Sequence, residues 1–264
     1  MKKLFLLFCL PFLMVSCSQY QKALKSEDMA VKYEAAVKKY DAKKYTKAIR
    51  LFEQMAPAFR GKPQSEKMFY MFAQSYYKTQ QYYLAAYQFE SFVSSYPKSE
   101  KIEECAYLEG FCYSKLSPVY SLDQVDTYKA INKLQSFIDT YPNSTYLPEA
   151  NATLKKLTDK IEKKYFEIAK QYNTIADYKS ALVALDNFIS DYPGTQYKEA
   201  ALYLKLDSAF KLAVNSIPAK MEERYKNAKT AYNGLIKFKD NSQYKEKADE
   251  MLAKIEEGLK KYAK

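Results

Sequence analysis

The sequence predicts an all-α protein made of repeated helical hairpins, and three observations support this prediction. First, an aromatic residue followed by Tyr-Pro and a small hydroxyl residue recurs at positions 92–99, 137–144 and 188–195. Second, small and bulky apolar residues precede each copy at intervals of four and three, the spacing of one face of an α-helix. Third, a degenerate fourth copy at 235–242 carries Asp240 in place of the proline. Sequence repeats of this kind indicate helical hairpins that pack against their neighbours in the chain.

The second helix of each hairpin presents an alanine and two bulky residues on one face. The four sets are Ala85, Phe89 and Phe92; Ala130, Leu134 and Phe137; Ala181, Leu185 and Phe188; and Ala228, Tyr232 and Leu235. The alanine allows a neighbouring helix to come close, so we expect this face to be buried. Because proline disfavours the α conformation at the residue before it, these helices should end near Tyr96, Tyr141 and Tyr192.

A hydroxyl residue stands three positions after each of these tyrosines. Such a side chain can accept a hydrogen bond from the free amides at the start of a helix. We therefore predict that Ser99, Ser144 and Thr195 cap the helices that follow them.

An upstream helix with its own small residue precedes each of these faces. The residues Ala36, Ala73 and Ala169 lie twelve positions before Ala48, Ala85 and Ala181. Each of these units thus contains, in order, a small residue, an aromatic residue, a short turn, an alanine, a bulky residue and a proline. This order is typical of the tetratricopeptide repeat. We predict a right-handed tetratricopeptide-repeat solenoid of five helical hairpins plus a C-terminal capping helix. The predicted repeats span about 29–64, 65–98, 99–157, 158–194 and 195–247, and the cap spans 248–264.

The predicted repeats are longer than the minimal unit of about 34 residues. We place the extra residues of repeat three in a loop before its second helix. In repeat four they lengthen the entering helix over residues 154–165, and in repeat five they follow a break at residues 215–218.

Residues 1–16 have the features of a secretory signal peptide. Lys2 and Lys3 form a basic start. The apolar run at 4–15 is too short to cross a bilayer as a helix. We predict that this segment directs the chain out of the cytoplasm.

The end of this leader, Val15-Ser16-Cys17, resembles a lipobox. It predicts that Cys17 is acylated and becomes the first residue of the mature chain, and the Ser18 that follows resembles the outer-membrane type of bacterial lipoprotein. A diacylglycerol and an amide-linked chain exceed the two signals that stable attachment requires. Residues 17–28 are polar without a strong period, so we predict a lipidated tether. An uncleaved apolar anchor or a plain secretory signal is the alternative.

The composition argues against several kinds of chemistry. The chain has no histidine, which removes the commonest general base and metal ligand. Its five glycines are not clustered, so no loop is suited to cradle a phosphate. Glu90-Ser91 resembles the Glu-Ser pair of lytic transglycosylases but lacks their glycine-rich context. We predict a protein that is not an enzyme and has no cofactor and no metal site.

Two cysteines follow the lipobox, Cys105 and Cys112, and they lie seven residues apart on one predicted helix. That spacing separates them by roughly 10 Å, which is beyond the reach of a disulfide. We expect both to be small core residues.

Lysines occur in adjacent pairs. The pairs stand at 38–39, 43–44, 155–156, 163–164 and 260–261. Basic residues among many tyrosines can indicate nucleic acid, but a secreted, acylated protein does not meet it routinely, so we predict no nucleic-acid partner. A solvated face is one interpretation; a surface for anionic headgroups or an acidic partner segment is the other.

Four tyrosines occupy matching places in the first helices of repeats one and two. Tyr33 and Tyr40 lie seven residues apart, and Tyr70 and Tyr77 lie 37 residues after them. First helices line the concave groove of this repeat type, so the four are candidates for an aromatic surface that binds an extended peptide. The alternative is that they pack between helices.

Taken from end to end, the sequence resembles the BamD lipoprotein family of the outer-membrane β-barrel assembly machine. The features that carry the resemblance are the lipobox cysteine, five tetratricopeptide repeats, the segment at 45–53, Tyr-Pro-x-Ser after the second and third repeats, and Asp123-Gln124 ahead of the third stripe. The resemblance implies a lipid-anchored protein on the periplasmic face of the cell outer membrane.

The resemblance also implies two partners. C-terminal repeats would contact the periplasmic domain of a BamA-like barrel protein, and N-terminal repeats would receive unfolded outer-membrane protein segments. Two other functions stay open: a periplasmic scaffold in cell division that resembles the YbgF family, and a peptidoglycan-acting enzyme. No heptads precede Met29, whereas a YbgF-like protein usually has an N-terminal coiled coil.

Overall fold

The computed structural model describes residues 19–60, 62 and 65–262, and within these ranges the regular structure is helical without any strand. A short helical segment at 19–25 comes first. The helices that follow are α1 Met29–Asp41, α2 Tyr45–Phe59, α3 Glu66–Lys78, α4 Tyr82–Ser95, α5 Ile102–Leu116, α6 Val125–Thr140, α7 Leu147–Thr174, α8 Tyr178–Asp191, α9 Lys198–Val214, α10 Pro218–Phe238 and α11 Lys245–Lys260.

The chain forms two compact units. Within the described residues, unit 1 comprises 19–118 and 123–157, and unit 2 comprises 119–122 and 158–262. In unit 1 successive helices from α1 to α6 pack against one another. In unit 2 the same holds for α8 to α11. The all-helical hairpin fold predicted from the sequence is confirmed.

Tyr-Pro ends the second helix of a hairpin three times, as predicted. Tyr96, Tyr141 and Tyr192 are the C-terminal caps of α4, α6 and α8. In each case the cap amide still donates to the carbonyl oxygen four residues earlier, and the backbone then leaves the helical conformation. The proline that follows accounts for this, because it disfavours the α conformation at the residue before it.

The predicted hydroxyl caps act one turn earlier than expected. Helix α5 begins at Ile102, three residues after Ser99. The Ser99 hydroxyl accepts from the Lys101 amide at 3.0 Å, and Ser144 and Thr195 accept from the amides two residues further on at 3.3 and 3.2 Å. These hydroxyls therefore stabilise the turn that leads into each helix rather than the first turn of the helix itself.

Part of the predicted tether, residues 19–25, is packed against the first hairpin. They are helical, and the side chains of Tyr20 and Ala23 are buried at 5% and 2% exposure. The Tyr20 hydroxyl donates to the Lys47 carbonyl at 3.2 Å. The stripe Tyr20, Ala23 and Leu24 has helical spacing but is too short to stand out from the polar residues around it. The predicted signal peptide and Cys17 lie outside the described residues.

The alanines of the predicted faces are completely buried, as the sequence predicts. Ala48, Ala85, Ala130, Ala181 and Ala228 are all fully buried, at 0% exposure. The phenylalanines and leucines of the same faces are buried beside them, which confirms the predicted stripe. Tyr232 is the exception: it is only half-buried and donates from its hydroxyl to Asp249 at 2.7 Å.

The extra residues of the long repeats have identifiable places. Helix α7 has 28 residues and α10 has 21, against 13 to 17 in the other nine helices from Met29 to Lys260. The remaining insertion forms the link at 117–124, between α5 and α6. In the described part of the chain, no helix is long and apolar enough to cross a membrane.

Both cysteines of α5 are free thiols, as predicted. Cys105 and Cys112 are fully buried, at 0% exposure. Burial raises the pKa of both thiols, that of Cys112 to about 12. They are uncharged core residues at neutral pH.

Candidate peptide-binding groove

The first helices of unit 1 enclose an open groove of about 740 Å³. We call it the tyrosine groove. Its walls are the end of α1, the start of α3 and the turn at 98–101 that leads into α5. The side chains that line it include Tyr40, Tyr70, Met71, Lys67, Lys98 and Lys101.

Tyr70 is held in a fixed orientation by its neighbours. Its hydroxyl donates to Glu104 Oε1 at 2.8 Å, and the Gln74 amide donates to the same oxygen at 2.9 Å. Its ring packs edge-on against Phe92 at 6.1 Å, and Lys101 Nζ lies 5.6 Å from the ring centroid. Burial raises the pKa of Tyr70, and the hydrogen bond to Glu104 raises it further. The phenol is therefore neutral at physiological pH.

Tyr40 lies in the last turn of α1 and lines the same groove. Its ring meets Tyr45 edge-on, with the centroids 5.6 Å apart. Burial raises its pKa, and the negative charge of Glu104 adds to the rise. Tyr40 and Tyr70 thus give the groove two neutral aromatic rings, each with a hydroxyl group that can take part in hydrogen bonds.

The third wall is positioned by a hydrogen bond between repeats. Ser99 donates to Glu66 Oε1 at 2.6 Å, which fixes the turn at 98–101 against the first turn of α3. Unit 2 repeats this bond, because Ser242 donates to Glu199 at 2.8 Å. The hydroxyls of Ser99 and Ser242 therefore each also bond a carboxylate of the preceding hairpin.

The rim of the groove carries charge of both signs. Lys67 and Lys98 form no ion pair with any described residue, whereas Lys101 lies 3.7 Å from Glu104. Asp41 and Glu100 also line the groove. Ammonium groups beside neutral phenols can bind the carbonyl or carboxylate oxygens of a peptide. The arrangement of lysines and tyrosines is therefore chemically suited to bind an extended peptide.

The four tyrosines predicted from the sequence separate into two groups. Tyr40 and Tyr70 line the tyrosine groove. Tyr33 is half-buried against the core of unit 1. The Tyr77 ring packs between helices, 6.3 Å from Phe111 and 6.4 Å from Phe89. Of the four predicted tyrosines, only Tyr40 and Tyr70 therefore line the groove, and their role in binding a peptide stays a prediction.

Sequence reasoning missed the lysines of this groove. Lys98 and Lys101 belong to the linker after Tyr-Pro and lie far from Tyr40 in the sequence. The signal that was present is the repeat itself, since this linker must reach the first helices of both hairpins that it joins. The position of Lys67 near the start of α3 follows from the same geometry.

Glu90, the residue that resembled a transglycosylase carboxylate, belongs to an ion cluster in unit 1. Lys133 Nζ lies 2.7 Å from Glu90 and 2.6 Å from Glu109, which is 5% exposed. Burial raises the pKa of Glu109 against the lowering effect of Lys133. Burial alone would lower the pKa of Lys133, but the neighbouring carboxylates of Glu109 and Glu90 raise it. The Glu90 carboxylate is therefore engaged in an ion pair.

The described residues contain no group of three or more cysteine, aspartate or glutamate side chains placed to hold a metal ion.

Comparison with known proteins identifies the family. The sequence pattern of the YfiO family, described as outer membrane lipoprotein, matches residues 25–176 and 159–263.

Two curated relatives cover most of the chain. The chain is 26% identical over 227 residues to outer membrane protein assembly factor BamD of Neisseria gonorrhoeae, which covers 80% of this chain and 85% of that protein. It is 24% identical over 186 residues to BamD of Pasteurella multocida (strain Pm70), which covers 67% and 72%. The TPR2AB domain of yeast Sti1, solved with pHSP90, has a TM-score of 0.40 and 16% identity over 86% of this chain and 98% of that chain. Since the family pattern extends over most of the sequence, the chain belongs to the YfiO family of outer membrane lipoproteins.

Proposed function

We propose that this chain is a non-catalytic, lipid-anchored subunit of the outer-membrane β-barrel assembly machine. It binds unfolded outer-membrane protein segments and the periplasmic domain of a BamA-like barrel protein. Membership of the YfiO family and the similarity to proteins named outer membrane protein assembly factor support this proposal. The lipobox at Cys17 supports a lipid anchor at the periplasmic face of the outer membrane.

The tyrosine groove is the observation that carries the substrate part of the proposal. An extended peptide brings unpaired backbone carbonyls and alternating side chains. The rings of Tyr40 and Tyr70 offer apolar faces for aromatic side chains, while Lys67 and Lys98 offer donors for its carbonyl groups or a terminal carboxylate. A volume of about 740 Å³ lies within the roughly 300–1,000 Å³ of small-ligand sites. The groove therefore suits a short unfolded stretch better than a folded domain.

The barrel partner is assigned to the C-terminal repeats on the resemblance to the BamD family. This division leaves the tyrosine groove of unit 1 open for substrate, while unit 2 contacts the assembly. Substrate capture and attachment to the barrel subunit then use different hairpins, so a variant can lose one and retain the other.

Peptide affinity tests the substrate part. A fluorescent peptide with alternating aromatic residues and a free C-terminal carboxylate should bind the mature chain, as measured by anisotropy. Tyr40→Ala with Lys98→Gln should weaken binding about tenfold, which equals about 1.4 kcal/mol. Tyr83→Ala is the matched control, since that tyrosine is 61% exposed on α4. Unchanged affinity in a groove variant with full helicity would refute the assignment.

Purification from detergent-solubilised outer membranes tests the partner. We expect to recover a large barrel protein with periplasmic domains. Recovery of division proteins instead would favour the YbgF-like scaffold, and turnover of cell-wall fragments would favour the enzyme. Mass spectrometry of the mature amino terminus checks the anchor, which requires acyl groups on Cys17.

A further inference from the structure

Positive charge is concentrated at the start of the described chain. Residues 19–50 contain nine lysines and arginines against four aspartates and glutamates, a net charge of +5. The whole 264-residue sequence has a net charge of +11. A segment of 32 residues thus holds almost half of the excess, which is far more than its share of the length.

The ring of Tyr20 lies close to two of these lysines. Lys39 Nζ and Lys47 Nζ lie 5.5 and 5.3 Å from the centroid of its ring. Burial raises the pKa of Tyr20, and the positive charge of Arg50 opposes that rise. The docking of the 19–25 segment therefore places its own lysines beside those of α1 and α2.

A groove of about 380 Å³ runs alongside Tyr20 between the 19–25 segment and α1. Lys22, Lys38 and Lys39 line it, with Glu34 as the acidic side chain among its lining residues. Val31 lies in the same groove and is 43% exposed. We call this surface, together with the lysines of the α1–α2 turn, the basic surface.

Four exposed lysines of the basic surface have no carboxylate partner in the described part of the chain. Lys22, Lys38, Lys43 and Lys44 are exposed and make no ion pair within the described residues. In unit 2 several surface lysines are paired with carboxylates, among them Lys205–Asp186, Lys226–Glu222, Lys229–Glu256, Lys239–Glu199 and Lys245–Asp249. The charge of the basic surface is therefore available to an external anion.

The predicted lipid attachment lies beside this surface. Cys17 precedes Tyr20 by three residues, which span at most about 11 Å when fully extended. The Debye length at physiological ionic strength is about 8 Å. Acyl chains on Cys17 would therefore hold Tyr20, which lines the groove of the basic surface, at little more than one Debye length from the headgroups of the same leaflet. This continuity favours a membrane over an acidic protein segment as the occupant.

We propose that the basic surface binds anionic phospholipid headgroups and holds the first hairpin against the membrane leaflet that carries the lipid anchor. The position at that leaflet depends on the proposed anchor, but headgroup binding does not. Each lysine near an anionic surface adds an independent attraction. The lipid fixes the chain to the membrane, and the basic surface fixes which side of unit 1 faces it.

Vesicle binding by the non-acylated mature chain tests the proposal. The chain starts at position 17 with Cys17→Ser, so any binding comes from the protein surface. We expect it to sediment with phosphatidylcholine vesicles that contain phosphatidylglycerol, and not with pure phosphatidylcholine. Lys22→Gln, Lys38→Gln, Lys43→Gln and Lys44→Gln together should lower binding at least about tenfold. Raised salt should have the same effect on the unchanged chain.

The matched control removes the same charge from unit 2. It carries Lys237→Gln, Lys254→Gln, Lys260→Gln and Lys261→Gln, all at exposed positions. This control should retain most of the vesicle binding. Equal losses in both variants would show an effect of net charge alone and overturn the proposal. So would equal binding to neutral vesicles, or tighter binding to polyglutamate than to anionic vesicles. Peptide affinity at the tyrosine groove should be unchanged in both variants, which separates this proposal from the proposed function.

Discussion

The two units use one repeat pattern but fill their cores differently. Unit 1 has a single continuous core in which Phe52, Phe89 and Phe92 are buried at 0–1% exposure. The buried core of unit 2 divides into two smaller clusters, one around Leu206 and Leu235 and another around Phe188. Aromatic rings meet across every hairpin of unit 1, whereas in the described part of unit 2 the ring contacts lie around Phe166 and Phe188 and in the stacked pair Tyr203 and Tyr244.

This difference has a consequence for function. The tyrosine groove lies on the unit whose side chains are largest and most completely buried, so its walls are supported by a continuous core. Preorganised sites of this kind bind without a large ordering cost. Unit 2 gains proportionally more of its contacts from surface ion pairs, which contribute little each. We expect unit 2 to open more easily.

The largest effect should come from truncating the aromatic core of unit 1. Phe89→Ala should lower the free energy of unfolding by about 3–5 kcal/mol, because its ring is fully buried. The control Tyr87→Ala on the same helix, 47% exposed, should change it by less than about 0.5 kcal/mol. Urea unfolding followed by circular dichroism measures both. Similar losses for the two variants would mean that α4 does not pack as described.

The ion cluster of unit 1 should come next. Lys133→Met leaves the buried Glu109 carboxylate without its partner and should cost about 1–3 kcal/mol at neutral pH. Lys226→Met in unit 2, whose ion pair is exposed on both sides, should cost less than about 0.5 kcal/mol.

The loss in Lys133→Met should depend on pH in a defined direction. Burial raises the folded-state pKa of Glu109 above its unfolded value. The ionised form therefore destabilises the folded variant above that raised pKa. Below the unfolded pKa, at about 4, the carboxyl is protonated in both states and the penalty disappears. A loss that grows as the pH falls would contradict the assignment.

Two helical glycines should respond to alanine in opposite ways. A Cβ at Gly110 would lie 2.9 Å from Leu134 Cγ, so Gly110→Ala should destabilise unit 1 by about 1–3 kcal/mol. A Cβ at Gly234 in unit 2 would meet no atom within 4 Å. Gly234→Ala should stabilise the helix by about 0.5–1 kcal/mol. Thermal melts of the pair measure the contrast, and two losses of equal size would show that close approach at Gly110 is not the cause.

The smallest effect should come from the hydrogen bond between α10 and α11. Hydrogen bonds from Lys245 and Tyr232 hold the pKa of Asp249 below its usual range. Tyr232→Phe removes one of them, so the pKa of Asp249 should rise while overall stability changes little. An NMR titration of the carboxyl measures this directly. A pKa that stays in place would show that Lys245 alone is responsible.

Local periodicity and Tyr-Pro were enough to predict the hairpins, their buried alanines and the ends of α4, α6 and α8. These features depend on residues within one or two turns of each other. The docking of Tyr20, the bond from Ser99 to Glu66 and the placement of Lys98 beside Tyr40 join residues that are distant in sequence. No local pattern encodes such pairings, so they became visible only in the folded chain.

Site-specific photocrosslinking in cells tests the central claim most directly. A photoreactive amino acid is placed at Lys98, on the rim of the tyrosine groove, or at Tyr83, on the exposed face of α4. We predict adducts with unfolded outer-membrane proteins from position 98 and few from position 83. Equal adducts at both positions, or adducts at position 83 alone, would contradict the assignment of the groove as the substrate site.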